Sequence, residues 1–313
     1  MIFIYLAVTF ISFIFVFKSA DIIIRSSVAI ADHYGISRVF IGVVLVGLST
    51  SAPEIFVTAI ASVLNKPQII MGNASGSIAA NTGIAMALIF WIASGLPSYN
   101  ERHQKITDKF TAVNFVFLPA GAACMFFVIR NGISRTGGLI LLIALAAYLF
   151  LSSKASEEFF KVAETSPAAR PFAIFFPALA VLLLSSRVVV WSSANMARLL
   201  GISEFVIAVT IIAVGTSIPE IATSISATRD GEYGLAVGDI VGSQAFNLYL
   251  LPGIAALFGP LKIDNSRFIF GWMFIILAQL LFFIYVRKIP LRLKASVLFA
   301  TYILYIISDI KIF

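Results

Sequence analysis

Long apolar runs separated by short polar connections dominate the chain. Ten hydrophobic segments stand out, at about 2–31, 37–64, 68–95, 110–129, 136–152, 171–197, 203–228, 233–259, 266–286 and 292–312. The longer ones exceed the roughly 20 residues that a bilayer core demands, which selects helices over the ten-residue alternation of a membrane barrel. The expected fold class is all-α and integral to a membrane. Met1–Phe17 has no basic leader and runs on past Lys18 to Ala31, so it is expected to be the first membrane helix and not a cleaved signal.

One polar-in-apolar stretch occurs twice. The first copy carries Ser49-Thr50-Ser51-Ala52-Pro53-Glu54 and then Gly76-Ser77-Ile78-Ala79-Ala80-Asn81. The second carries Gly215-Thr216-Ser217-Ile218-Pro219-Glu220 and then Gly242-Ser243-Gln244-Ala245-Phe246-Asn247. The offset is 166 residues throughout, from Gly35/Gly201 to Asn81/Asn247, without a gap. Such a run marks an internal duplication. The longest polar connection, Ser153–Pro171, leaves five segments on either side. An odd number forces the halves to enter the membrane from opposite sides, the inverted-topology repeat of many secondary transporters. The expected organisation is 1–152 as the first five-helix half with its repeat at 35–83, a 153–170 linker, and 171–313 as the second half with its repeat at 201–249. The long first and sixth segments suit elements that slide past a fixed bundle.

Charge refines this picture. Of 313 residues, 60% are hydrophobic and 12% charged, against about 25% charged in a soluble domain. The net charge of +7 comes from basic residues at helix ends, where topology accounts for them and no nucleic-acid footprint is needed. With the N-terminus outside, the inner connections hold twelve Lys and Arg and the outer ones seven. Both termini are therefore expected outside and the 153–170 loop in the cytoplasm. The single Cys124 excludes a disulfide framework and a thiolate metal cluster.

The chemistry lies in the duplicated stretch. A bare carboxylate at Glu54 or Glu220 costs about 2.5–3.5 kcal/mol at mid-membrane even on lenient scales, so each calls for a cation or a proton. Pro53 and Pro219 lack an N–H and clash with the carbonyl four residues back, so each helix should break and free carbonyls near Gly47–Thr50 and Ala213–Thr216. Hydroxyls of Thr50, Ser51, Thr216 and Ser217 surround those carbonyls, and Ser77/Asn81 and Ser243/Asn247 add oxygens from one face of the following segment. Every donor atom is oxygen, the ligand set of hard cations such as Na⁺ and Ca²⁺. Gly72/Gly76 and Gly238/Gly242 are spaced for close helix approach.

These paired Gly-Thr-Ser-x-Pro-Glu and Gly-Ser-x-x-x-Asn stretches resemble the two α-repeats of the cation/Ca²⁺ antiporter superfamily, in its prokaryotic Na⁺/Ca²⁺ exchanger branch. The resemblance implies an electrogenic Ca²⁺ exporter driven by Na⁺, typically three Na⁺ for one Ca²⁺, working by alternating access. It implies that Glu54 and Glu220 bind Ca²⁺ and share the Na⁺ sites. Thr50, Ser51, Ser77, Thr216, Ser217 and Ser243, with the carbonyls of Gly47 and Ala213, would complete the Na⁺ shells. Asn81 and Asn247 would line the centre. Three departures stand out. Leu48-Ser49-Thr50 lacks the usual Gly before Thr, Asn at 247 argues against K⁺ co-transport, and Asp239 replaces the common Asn, as an entrance carboxylate or an additional ligand. The partners implied are Na⁺, Ca²⁺ and the bilayer, with no cofactor and no nucleic acid. One chain supplies both halves, so a monomer suffices.

Rival readings remain at this stage. In Ca²⁺/H⁺ exchange the same glutamates would be protonated; a passive cation channel would need no counter-ion. An enzyme is disfavoured because the motif has no nucleophile–base pair, redox ligand or nucleotide loop. Lys18 and Asp21 are expected to pair locally or to snorkel, with a gating role as the lesser option. Arg187, at the repeat position of Asp21, hints at a pair between the halves. His33 and His103 fall in expected loops, away from any metal site.

Overall fold

A computed structural model of the protein describes residues 1–96, 108–156, 169–201, 213–261, 267–284 and 289–312. The first half contains α1 (Ile2–Tyr34), α2 (Arg38–Thr50), α3 (Ala52–Val63), α4 (Pro67–Ala93), α5 (Asp108–Asn131) and α6 (Arg135–Ala155). The second contains α7 (Ala169–Leu199), a single turn at Ala213–Gly215, α8 (Ile218–Arg229), α9 (Tyr233–Phe258), α10 (Arg267–Ile284) and α11 (Leu291–Ile312). Helix thus occupies each of the ten segments that the apolar pattern marks. Among the described residues the only extended pairing is one bridge, Ile133–Leu261. Among the described residues five helices, α1, α4, α6, α7 and α9, are individually long and apolar enough to span a membrane, and α2 with α3 makes a sixth as a bent pair. The protein is a multi-pass, all-helical membrane protein.

Prolines and left-handed caps place the breaks. Pro53 sits at the start of α3, and the chain turns by 50° between α2 and α3 at Ser51. Pro219 occupies the same place in α8 after the turn at Thr216 and Ser217. Gly35 and Gly201 end α1 and α7 at φ 63° and 76°, and Asn65 and Gly231 follow α3 and α8 at φ 53° and 78°. Both pairs keep the 166-residue offset, so the duplication extends to backbone conformations that favour Gly and Asn.

Among the described residues the two longest helices, α1 and α7, form the most extensive helix pair. They run antiparallel. Tyr5 meets Trp191 edge-on at 5.5 Å, Thr9 Oγ1 lies 2.7 Å from Ser192 Oγ, and at the other end Tyr34 faces Phe172 at 6.3 Å. At 33 residues α1 is about 50 Å long, well beyond a hydrocarbon core of about 30 Å. Its outer face is lipid-like, with Phe3 84% and Phe10 69% exposed.

At the centre, α2 packs backbone against backbone on α9. A Cβ on Gly242 would strike the Val43 carbonyl, one on Gly238 the Val39 carbonyl, and one on Gly47 the Asp239 carbonyl at 2.9 Å. The glycine spacing at 238 and 242 therefore does permit close approach. Its repeat mate Gly76 has no such contact among the described residues. Arg38, at the start of α2, ties three elements together. Its guanidinium holds Asp32 of α1 at 3.0 Å and bonds Glu232, the residue before α9.

Three charges behave differently from expectation. Among the described residues, Lys18, Asp21 and Arg187 form no ion pair within 4.0 Å. Lys18 and Arg187 are exposed on α1 and α7, where long side chains can run toward the headgroups. The local pair expected of Lys18 and Asp21 is therefore not made. His33 stacks edge-on against Tyr34, and Cys124 is exposed. His103 and most of the 153–170 linker lie outside the described residues, as does the 202–212 part of the second repeat.

Gly242→Ala should lower stability by about 1–3 kcal/mol through overpacking against Val43. The check is the melting temperature of purified protein in detergent, which should fall by several degrees.

Candidate oxygen site between the repeats

The break between α2 and α3 delivers Thr50, Ser51 and Glu54 to one place, and the break before α8 delivers Thr216, Ser217 and Glu220 to the same place. From the following helices, α4 adds Ser77 and Asn81 and α9 adds Ser243 and Asn247. Glu54, Glu220, Asn81, Asn247, Ser51, Ser217 and Ser243 are all fully buried. No cationic side chain bonds any of them among the described residues.

The hydrogen bonds follow the two-fold logic of the repeat. Ser77 Oγ donates to Glu54 Oε1 at 3.3 Å, and Ser243 Oγ to Glu220 Oε1 at 3.2 Å. The asparagines then cross over. Asn81 Nδ2 donates to Ser243 Oγ at 2.9 Å, and Asn247 Nδ2 to Ser77 Oγ at 3.1 Å. Ser51 Oγ lies 2.8 Å from Ser243 Oγ and 3.2 Å from Glu220 Oε1, while Ser217 Oγ lies 3.4 Å from Ser77 Oγ. The Thr216 hydroxyl also reaches Glu54. Each half is thereby completed by the other.

After this wiring four buried oxygens have no partner: Glu54 Oε2, Glu220 Oε2, Asn81 Oδ1 and Asn247 Oδ1. They form two repeat-related pairs, and all are acceptors. A buried acceptor without a donor costs about 1–3 kcal/mol, more when charged. The two carboxylates also repel one another. Such an arrangement can hold a hard cation, which satisfies several oxygens at once and neutralises the glutamates. Among the described residues, no three of His, Cys, Asp and Glu gather as a metal cluster, so an ion held here would draw on amides and hydroxyls beside the two carboxylates.

Of the carbonyl ligands expected from the sequence, Gly47 O accepts the Ser51 N–H at 3.2 Å and lies 3.3 Å from Thr50 Oγ1. Ala213 begins the single turn before Thr216. Sequence reasoning missed three features. One is a pair of π-helical turns at Asn81–Ala85 and Phe246–Leu250, which mark where α4 and α9 widen beside the asparagines. Another is Gln244, whose Nε2 donates to Thr82 Oγ1 across the halves at 2.7 Å. The third is Thr223, a partner of Asp239. Only Asp239 carried a signal, as a carboxylate opposite Asn73 in the repeat.

A buried, oxygen-only site between duplicated broken helices defines a membrane transporter of cations and not an enzyme. Comparison with known proteins places it further. The chain belongs to the sodium/calcium exchanger protein family, whose profile matches residues 4–154 and 170–310. It is 30% identical to the putative antiporter CaxA of Alkalimonas amylolytica over 79% of this chain and 79% of that protein. It is 25% identical to the sodium/calcium exchanger MaX1 of Methanosarcina acetivorans, over 87% and 88%. A solved structure of the sodium–calcium exchanger NCX_Mj superposes with a TM-score of 0.81 at 26% identity, covering 98% of this chain and 99% of that one. The family is one of cation/Ca²⁺ antiport.

Ser243 is the hub of the wiring, so Ser243→Ala should strand the Asn81 amide and remove one donor from Glu220 Oε1. A loss of about 1–3 kcal/mol in unfolding free energy is expected, read by denaturation in detergent. Ser94→Ala, remote from the site, serves as the neutral control.

Proposed function

We propose that the protein exports Ca²⁺ in exchange for Na⁺ by alternating access between its two inverted halves. The four unpartnered oxygens carry this reading. Two carboxylates match the charge of one Ca²⁺, and two amide oxygens add neutral ligands from the facing halves, in keeping with its preference for six to eight oxygens. Glu54 and Glu220 are the Ca²⁺ ligands, with Asn81 and Asn247 lining the centre. Na⁺ shares the glutamates and draws on Thr50, Ser51, Ser77, Thr216, Ser217 and Ser243 and on the Gly47 and Ala213 carbonyls.

The antiparallel packing of α1 on α7, together with the matched breaks before Glu54 and Glu220, supports the inverted 5+5 layout, with domains at 1–152 and 171–313. The excess of Lys and Arg in the connections supports both termini outside and the linker inside. Several Na⁺ against one Ca²⁺ moves net charge, so transport is electrogenic. Hydroxyls and helix-end carbonyls favour Na⁺ over H⁺ as the driving ion, because a proton needs one oxygen and no cage.

The test is Ca²⁺ uptake into proteoliposomes loaded with Na⁺, K⁺ or acid under a clamped membrane potential. Uptake that requires internal Na⁺ and responds to voltage is expected. Uptake driven by acid alone would reassign the glutamates to proton coupling, and flux without a counter-ion would make the protein a channel. Glu54→Gln and Glu220→Gln should each reduce uptake to background; retention of substantial exchange in both would overturn the site. Asn247→Asp adds a third charge and should change the ion preference, measured by competition with K⁺ and Sr²⁺.

A further inference from the structure

Asp239 is the buried carboxylate that the glutamate site leaves unexplained. It lies on α9 and is fully buried. It does not join Glu54 and Glu220 in a three-carboxylate metal group. Unlike theirs, both of its oxygens are used. Oδ1 accepts from Thr50 Oγ1 at 3.1 Å, and Oδ2 accepts from Thr223 Oγ1 at 2.5 Å and Ser224 Oγ at 3.4 Å. Each oxygen of Asp239 thus has a hydroxyl donor, which marks the carboxylate as an anchor.

The two halves differ here by a matched pair of residues. At the 166-residue offset, Asn73 corresponds to Asp239 and Val57 to Thr223. Asn73 Nδ2 donates to the Glu54 carbonyl at 3.0 Å and to Thr58 Oγ1 at 3.3 Å. Aspartate cannot donate in this way when ionised. The second half has replaced a donor by an acceptor and added a hydroxyl that the first half lacks. Together those changes build a seat for an anion.

The consequence falls on Thr50, one of the residues assigned to the Na⁺ shell. Its Oγ1 lies 3.1 Å from the Val46 carbonyl, 3.3 Å from the Gly47 carbonyl and 3.1 Å from Asp239 Oδ1. One hydroxyl proton faces these three acceptors and also the Glu220 carboxylate, and of the two carboxylates it is Asp239 that lies at 3.1 Å in hydrogen-bond geometry. A bond to a carboxylate is about twice as strong as one to a neutral carbonyl, so Asp239 wins it. The Val46 and Gly47 carbonyls are then released from Thr50, and the free lone pairs of Thr50 turn to the cage. Without Asp239 the proton returns to the carbonyls of its own helix, the default for helical threonine.

We propose that Asp239 is a positioning residue for Na⁺: by taking the Thr50 proton it presents the Thr50 oxygen and the Gly47 carbonyl to the ion. This rests on the Na⁺/Ca²⁺ reading above and makes the Na⁺ cage asymmetric between the halves.

The experiment is a double-mutant cycle between Asp239 and Thr50, with half-saturating Na⁺ and Ca²⁺ measured separately in proteoliposomes. Asp239→Leu should raise half-saturating Na⁺ by about tenfold and change Ca²⁺ by less than about twofold, the scale of one charge-assisted hydrogen bond. Asp239→Asn leaves only a neutral amide oxygen, no stronger than the helix carbonyls, and should raise half-saturating Na⁺ nearly as far. In a Thr50→Val background there is no proton to take, so neither substitution should have a further effect. A parallel rise for both ions, an unchanged Na⁺ value in Asp239→Leu, or additive effects with Thr50→Val would overturn the proposal. If Asp239→Leu does not fold, Thr223→Val with Asp239→Asn reproduces the Val57–Asn73 pair and enters the same cycle. Na⁺-induced thermal stabilisation reads this coupling without transport. Wild-type protein that lacks Na⁺-driven uptake would therefore sink the exchanger reading while the Thr50–Asp239 cycle is still decided.

Discussion

Buried oxygen acceptors outnumber donors at the centre of this protein, and much of the surrounding structure answers to that imbalance. Serines use up one oxygen of each glutamate, and asparagines from the opposite half hold the serines, yet four oxygens remain. In hydrocarbon no solvent can make up the difference. A cation could, and under the proposed function its occupancy would add to the stability of the fold. The close backbone contact of α2 on α9 through Gly47, Gly238 and Gly242 keeps that centre narrow.

The chain states much of this openly. A constant offset of 166 residues reveals the duplication, and Pro53 and Pro219 locate the breaks before the glutamates, because a missing N–H is a local property. The clustering of Ser51, Ser77, Ser217 and Ser243 with both glutamates follows from the same pattern. The crossing of Asn81 to Ser243 and Asn247 to Ser77 does not, since it depends on how two halves meet in space. The π-helical turns at Asn81 and Phe246 have no compositional mark, being one residue of extra width absorbed by neighbouring packing. Asp239 was visible as an oddity, but its use depends on Thr50 and Thr223, which come from elements far apart in sequence or face. Lys18 and Asp21 show the reverse: their spacing permits a pair that the structure does not make.

Two kinds of connection link the long helices to this centre. Arg38 bonds Asp32 at the end of α1 and Glu232 before α9, joining a long peripheral helix to the helix that carries Ser243 and Asn247. Along their length α1 and α7 instead touch through rings and hydroxyls, such as Tyr5 with Trp191 and Thr9 with Ser192. Apolar and weakly polar contacts of this kind impose little register, whereas the Arg38 cluster fixes one end.

The crossed asparagines carry a consequence for biosynthesis. Residues are delivered to the membrane from the N-terminus onward, so Asn81 and Ser77 enter the bilayer while Ser243 and Asn247 are still unmade. The nascent first half therefore holds an unfilled amide and an unheld serine beside a bare glutamate, and it has no native way to satisfy them alone. Completion of the site is a late, post-insertion event, and the first half has to persist in the membrane as an unfinished intermediate until the second half arrives.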